Sequence, residues 1–245
     1  FVAIAKREIF SLFVTPTAWA LIVVFLLIQG FHFYVLVVRV ATMSEVSVDQ
    51  GPVQAFFGES ILFYLPLIVL CPGMTMRLFA EERRAGTIES LLTAPVSTPA
   101  IVLGKYVAAL LTYVVMWAPT ALYVAILAKT GEVDWHVVGT SYLGVLLVGA
   151  GYLAIGTLMS AMTTSQLVAI VLSSLAILGL FMLGVGEFLL EPGLLRDVCA
   201  HVSVWGQMAE MSKGIVDLRR VVYDLSVVAL PLFVTTRAVD AWRWG

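Results

Sequence analysis

The stretch TAWALIVVFLLIQGFHFYVLVV, Thr17–Val38, contains no Asp, Glu, Lys or Arg and ends at Arg39. A bilayer's hydrocarbon, about 30 Å thick, is crossed by roughly 20 apolar residues in a helix, which satisfies its backbone polar groups internally. Thr17–Val38 meets that requirement, so lipid is the solvent that this stretch is suited to. Moved along the chain, the same test selects Ser60–Phe79, with Pro66 and Pro72 inside it, then Pro99–Ala128, Val137–Ala161 and Gln166–Phe188. Val221–Thr236 is a sixth candidate, short and interrupted by Asp224 and Pro231. At about 1.5 Å per residue Pro99–Ala128 exceeds the hydrocarbon thickness, and it is expected to project past it at the end carrying Lys105. The fold expected is all-α and polytopic, six transmembrane helices forming one domain over residues 1–245.

Composition agrees. Of 245 residues 61% are hydrophobic and 12% charged, with a mean hydropathy of +1.01. A water-soluble fold of this length has too little interior to hide so much apolar surface. The net charge of −2 supplies no basic field for nucleic acid. Cys71 and Cys199 sit in dissimilar settings and do not suggest a disulfide framework.

Basic residues collect on the cytoplasmic side of membrane proteins. With both termini inside, that side holds Lys6, Arg7, Arg77, Arg83, Arg84, Lys105, Arg237 and Arg243 against Glu8, Glu81, Glu82, Glu89 and Asp240. The outer side is predominantly acidic, and the even number of spans agrees with both termini being cytoplasmic.

Three connecting pieces remain. Phe1–Val14 places Ile4, Ile9, Leu12 and Phe13 around Lys6, Arg7 and Glu8, which suits either an interfacial helix over 1–14 or a plain extension of the first span. Arg39–Glu59 reads as a polar, acidic outer loop. The connection over 189–220 is too apolar for a solvated loop. Its Val204, Met208, Met211, Ile215 and Leu218 recur at helical steps, so short helices closing the outer mouth of the bundle are expected, with one buried stripe.

The most informative polar segment is RLFAEERRAGTIESLLTAPVS, Arg77–Ser97, on the cytoplasmic side. Glu81, Glu82, Arg83 and Arg84 mark where the second span leaves the lipid, and Gly86 permits a sharp turn. Thr87 can cap a short helix whose Ile88, Leu91 and Leu92 share one face, while Glu89, Ser90 and Thr93 share another. Pro95 ends it, and Thr98-Pro99 starts the next helix. The segment 80–97 therefore reads as a small amphipathic helix on the inner membrane surface. An ordinary positive-inside loop is the plainer alternative, and it would not need the caps.

Glu82–Ser97 followed by Ile101–Lys105 closely resembles the type-2 ATP-binding-cassette (ABC) exporter permeases. Lys213–Ser226 resembles the branch associated with bacterial gliding-motility permeases, and Ala5–Glu8 ahead of Thr15-Pro16 is similar as well. The resemblance implies a permease in the bacterial cytoplasmic membrane whose inner-surface helix docks on a separate ATPase. It makes Glu81, Glu82, Arg83, Arg84, Gly86, Thr87, Glu89, Leu91 and Leu92 the coupling residues. It implies two permease chains, identical or different, and two ATPase chains, with ATP and Mg held by the ATPase and no cofactor or metal bound by this chain. Independently, no G-x-x-x-x-G-K-[ST] occurs: Gly104-Lys105 is followed by Tyr106 and lacks the upstream glycine.

Other positions have two readings each. Ala150 with Ala154 and Gly156 with Ser160 are small-x-x-x-small pairs, suited to packing within the subunit or to a dimer seam or translocation path. Trp205, Met208 and Met211 are either packing or an outer gate. Asp224 and Glu187 lie near span ends, where snorkelling to the interface competes with an intramembrane role. His32 reads as a hydrogen-bonded helix contact, and the histidine spacing offers no metal site.

Three functions compete on this reading. The first is the permease subunit of an exporter. The second is ATPase-driven transmission of force or conformation across the membrane without cargo. The third, an intramembrane protease, lacks a buried Ser/His or His/Glu constellation in the sequence.

Overall fold

A computed structural model describes residues 2–42, 51–58, 60–88, 96–130 and 133–242, and every regular element among them is helical. They are α1 (Val2–Val14), α2 (Pro16–Thr42), α3 (Pro52–Gly58), α4 (Ile61–Thr75), α5 (Ala80–Ala85), α6 (Thr98–Trp117), α7 (Ala121–Thr130), α8 (Trp135–Met162), α9 (Gln166–Leu189), α10 (Leu194–Val202), α11 (Val204–Met211) and α12 (Leu218–Ala241).

Among the described residues six helical stretches are long and apolar enough to cross a membrane: Pro16–Arg39, Ile61–Ala85, Thr98–Lys129, Trp135–Met162, Gln166–Leu189 and Leu218–Ala241. They coincide with the six runs read from the sequence. The sixth is longer than its apolar core implied, because Asp217 accepts from the Arg219 N–H and caps the helix three residues earlier. The long third span bends through a 3-10 turn at Ala118–Thr120, where Pro119 has no N–H to continue the α-helical ladder.

α4 and α8 are the most enclosed spans, while α2, α9 and α12 turn most of their side chains outward. Val23, Leu27, Phe31, Leu167, Leu175 and Phe233 are examples of large apolar residues that are exposed. In water these would be costly; against acyl chains they are matched. The centre is aromatic: Phe25 meets Trp117 edge-on at 4.8 Å, and Tyr64 stacks on Trp205 at 5.3 Å.

Six antiparallel spans bring the two ends of the described chain to one face of the bundle. There α1 lies against the start of α6, with Ile4 over Gly104, and Trp242 meets Arg83. α1 is a helix of its own, separated from α2 by a bend at Thr15. Lys105, at that end of the long third span, is covered by protein: it is 1% exposed.

The opposite face carries α3, α10 and α11. The polar loop expected over Arg39–Glu59 contains a helix, because Val53, Phe56 and Phe57 recur at helical steps and enter the core. Phe56 stacks on His32 at 4.9 Å, and His32 faces Gln29 at 3.3 Å, so this histidine is a helix contact.

Candidate functional site: the coupling surface

The segment after α4 is built by local chemistry. A turn at Met76–Phe79 leads into α5, whose acidic first turn (Glu81, Glu82) and basic last turn (Arg83, Arg84) complement the helix dipole. Gly86 ends α5 in the left-handed conformation, φ 70°, where a side chain would be strained. Helix resumes at Ile88, directly after Thr87. Glu89, Leu91 and Leu92 lie outside the described residues.

The charged residues of this segment divide into those that face inward and those that do not. Glu82 accepts from Lys105 Nζ at 2.9 Å and from Arg7 at 3.2 Å. Lys105 also reaches Glu8 at 3.2 Å, and Arg7 reaches Glu8 at 2.7 Å. The hydrogen bond to the Glu8 carboxylate raises the Arg7 guanidinium above its already high ordinary pKa, so Arg7 stays cationic. Arg83 donates to the Ala161 carbonyl at 2.9 Å and lies over the Trp242 ring. Arg77 pairs with Glu81 at 3.7 Å and donates to Thr17. Glu82 and Arg83 thus bind α5 to α1, α6 and the end of α8. Glu81, Arg84, Gly86 and Thr87 are exposed.

Sequence reasoning missed that network. Glu8, Glu82 and Lys105 are far apart in the chain: Glu8 and Lys105 enter the sequence reading only as topology signals, and Glu82 only as a coupling residue and topology signal, with no pairing among them. A lysine seven residues after the start of an apolar helix was the available clue, since burial of a charge demands a partner.

The small residues of α8 are occupied within the chain. Ser160 Oγ accepts from the Phe79 and Ala80 N–H groups at 3.1 and 3.2 Å and donates to the Met76 carbonyl, so it holds the turn that precedes α5. A Cβ on Gly156 would overlap Thr75 Oγ1, and Ala154 is fully buried. Ala150 accepts from the Tyr106 hydroxyl through its carbonyl. Within the described chain, Gly156 and Ser160 thus pack against α4 and the turn after it, and the Ala150 carbonyl meets α6. Ser160→Ala is expected to cost about 2 kcal/mol, because two buried N–H groups lose their acceptor. Equilibrium unfolding in mixed detergent–SDS micelles measures it, and a cost below ~0.5 kcal/mol would contradict the role.

On the opposite face Met208 and Met211 are buried against Gly144, and the Met211 carbonyl accepts from Thr140 at 2.7 Å. With Trp205 on Tyr64, these three side chains wedge α11 into the bundle. Ile215 and Leu218 do not join the stripe expected of them: both are exposed, because Gly214 at φ 82° ends the helical course after Met211. Asp224 is also corrected. It is 6% exposed and accepts from the Gln207 amide, so it ties α12 to α11 and does not snorkel. Glu187 is half-buried, and its Oε2 has no hydrogen-bond partner among the described residues.

A family model described as "ABC-2 family transporter protein" matches residues 38–200, more than half of the chain. A search of curated proteins finds no match to it. The Lys213–Ser226 segment, on which the gliding-motility resemblance rested, lies beyond the matched residues, and the match supports no such branch. Permeases of this family normally work with an ABC ATPase, and they are transporter components distinct from the nucleotide-binding enzyme. Six apolar spans and the family match converge: the chain belongs to the ABC-2 family of transporter proteins, as an integral multi-pass permease subunit of an ABC transporter.

Proposed function

We propose that this permease couples ATP hydrolysis on a separate ATPase subunit to export of a substrate, with ATP and Mg bound by that partner. The face carrying α1, α5 and the chain ends is cytoplasmic, since it gathers the basic excess, and the membrane is the bacterial cytoplasmic one. Two permease chains and two ATPases make the working unit. The observation that carries this reading is the division of charge on α5. Arg84 is presented outward for a partner, while Glu82 and Arg83 are fastened to α1, α6 and α8. A push on the outward side therefore moves three other elements together.

Arg84 is the cleaner probe of the partner surface, because Glu82 also holds the network together. Arg84→Glu is expected to abolish permease-stimulated ATP hydrolysis in proteoliposomes containing the partner ATPase, at unchanged unfolding midpoint. Stimulation equal to the parent protein would remove α5 from the interface. Vectorial movement of a substrate in the same vesicles distinguishes export from transmission of force without cargo.

A further inference from the structure

Two hollows adjoin at the face that carries the chain ends. The first is a polar cleft of about 550 Å³ between α1 and the α4–α5 turn, lined by Arg7, Glu8, Arg77, Glu81, Glu82 and Lys105 among others. The second is a groove of about 260 Å³ between α2 and α4, with Leu21, Val24, Val69, Leu70, Gly73 and Ile170 in its walls and no polar surface. Thr15 and Arg77 line the cleft, Thr17 and Met76 line the groove, and the Arg77–Thr17 hydrogen bond at 3.0 Å stands where they meet. From that junction the groove follows α2 to Val24 and α4 back to Val69, about 10 Å at 1.5 Å per residue.

The charges of the cleft fix what it takes. Three cations, Arg7, Arg77 and Lys105, face three carboxylates, Glu8, Glu81 and Glu82, so it favours neither a bare anion nor a bare cation. Glu82 Oε2 is buried without a hydrogen-bond partner among the described residues, which calls for a donor from a ligand. Arg77 is part-exposed at the mouth of the apolar groove, the position for a phosphate at the hydrocarbon boundary. Trp19, exposed one turn into α2, is the kind of residue that sits at headgroup depth.

We infer that cleft and groove together bind a bilayer phospholipid with a primary-amine headgroup. Its phosphate lies at Arg77, its ammonium at Glu82 Oε2, and one acyl chain lies between α2 and α4. A primary ammonium donates hydrogen bonds, whereas a quaternary one has no N–H to give an orphaned oxygen. The bound lipid would join α1, α2 and α4 at the base of the segment that carries the coupling residues.

The full chain, purified in detergent and mixed with equal amounts of phosphatidylethanolamine, phosphatidylcholine and phosphatidylglycerol, tests this by native mass spectrometry. Phosphatidylethanolamine should be retained over the other two by roughly tenfold, the difference one charge-assisted contact makes. Arg77→Gln removes the phosphate contact. Val24→Trp fills the groove from a part-exposed position in its wall. Each should lower phosphatidylethanolamine retention by about the same factor. Equal retention of phosphatidylcholine, a preference for phosphatidylglycerol, or unchanged retention in either variant overturns the site. The measurement needs no ATPase, so its outcome is independent of the export reading.

Discussion

Lys105→Met is expected to destabilise the protein by about 3 kcal/mol, because it leaves the Glu8 and Glu82 carboxylates facing each other without the cation between them. Lys105 Nζ lies 3.2 Å from Glu8 and 2.9 Å from Glu82, and its side chain is 1% exposed. The Glu8 and Glu82 side chains are 11% and 19% exposed, and this incomplete burial keeps the expected cost at the lower end of the range for a broken buried pair. Arg7 offsets part of the repulsion from the cleft side. The second arm of the test is the double variant Lys105→Met with Glu82→Gln. Removing one carboxylate should recover at least ~1 kcal/mol relative to simple addition of the single effects. Unfolding in detergent–SDS mixtures measures all three proteins, and strict additivity would show that the two residues do not act as a pair. The same variants carry a functional reading: if the network transmits motion from α5, Lys105→Met should also uncouple ATP hydrolysis from the permease at temperatures where it remains folded.

The other large effect is expected on α8, from one substitution made at two glycines. Gly149 is packed on the ring of Tyr113, so a Cβ there would overlap ring atoms of a fully buried side chain whose hydroxyl donates to the Val145 carbonyl. Gly149→Ala must displace that ring or part α6 from α8, at a cost of about 3 kcal/mol, the upper end for an overpacked core. Gly139 lies on the same helix with nothing near its Cβ position. Gly139→Ala is therefore expected to be neutral or to stabilise by up to ~1 kcal/mol, the ordinary preference of a helix for alanine. Opposite signs from the same chemical change, read in the same unfolding assay, would establish that contact with Tyr113 decides the outcome. Destabilisation at both positions would point instead to a general effect on α8.

The number of spans and their approximate limits were legible in the sequence, because a membrane helix has to bury its own hydrogen bonds over a fixed thickness, and only composition is needed to see it. Thr17–Val38 illustrates this: no partner is required to make it helical in lipid. The turn at Gly86 and the helix start after Thr87 were legible too, since both are properties of a few neighbouring residues. Contacts between elements were not. Val53, Phe56 and Phe57 carry a helical pattern too short to stand out beside an acidic loop, and distant elements give them something to pack on: His32 of α2, Phe63 of α4, Tyr123 of α7 and Tyr142 of α8. Asp224 looked like an interfacial acid because hydropathy places it near the end of a span; the Gln207 amide that satisfies it comes from a different helix. Ile215 and Leu218 keep the helical spacing of Met208 and Met211, but periodicity says nothing about where Gly214 turns the chain. The charged network has the same origin. Glu8, Glu82 and Lys105 are separated by whole spans in the chain, and a count of charges on one side of a membrane registers their number and not their pairing. The sequence by itself determined a six-span helical membrane protein with an outward-turned charged segment between its second and third spans. Tertiary structure alone decided which of those charges are free to meet a partner, because burial and pairing depend on the elements brought alongside.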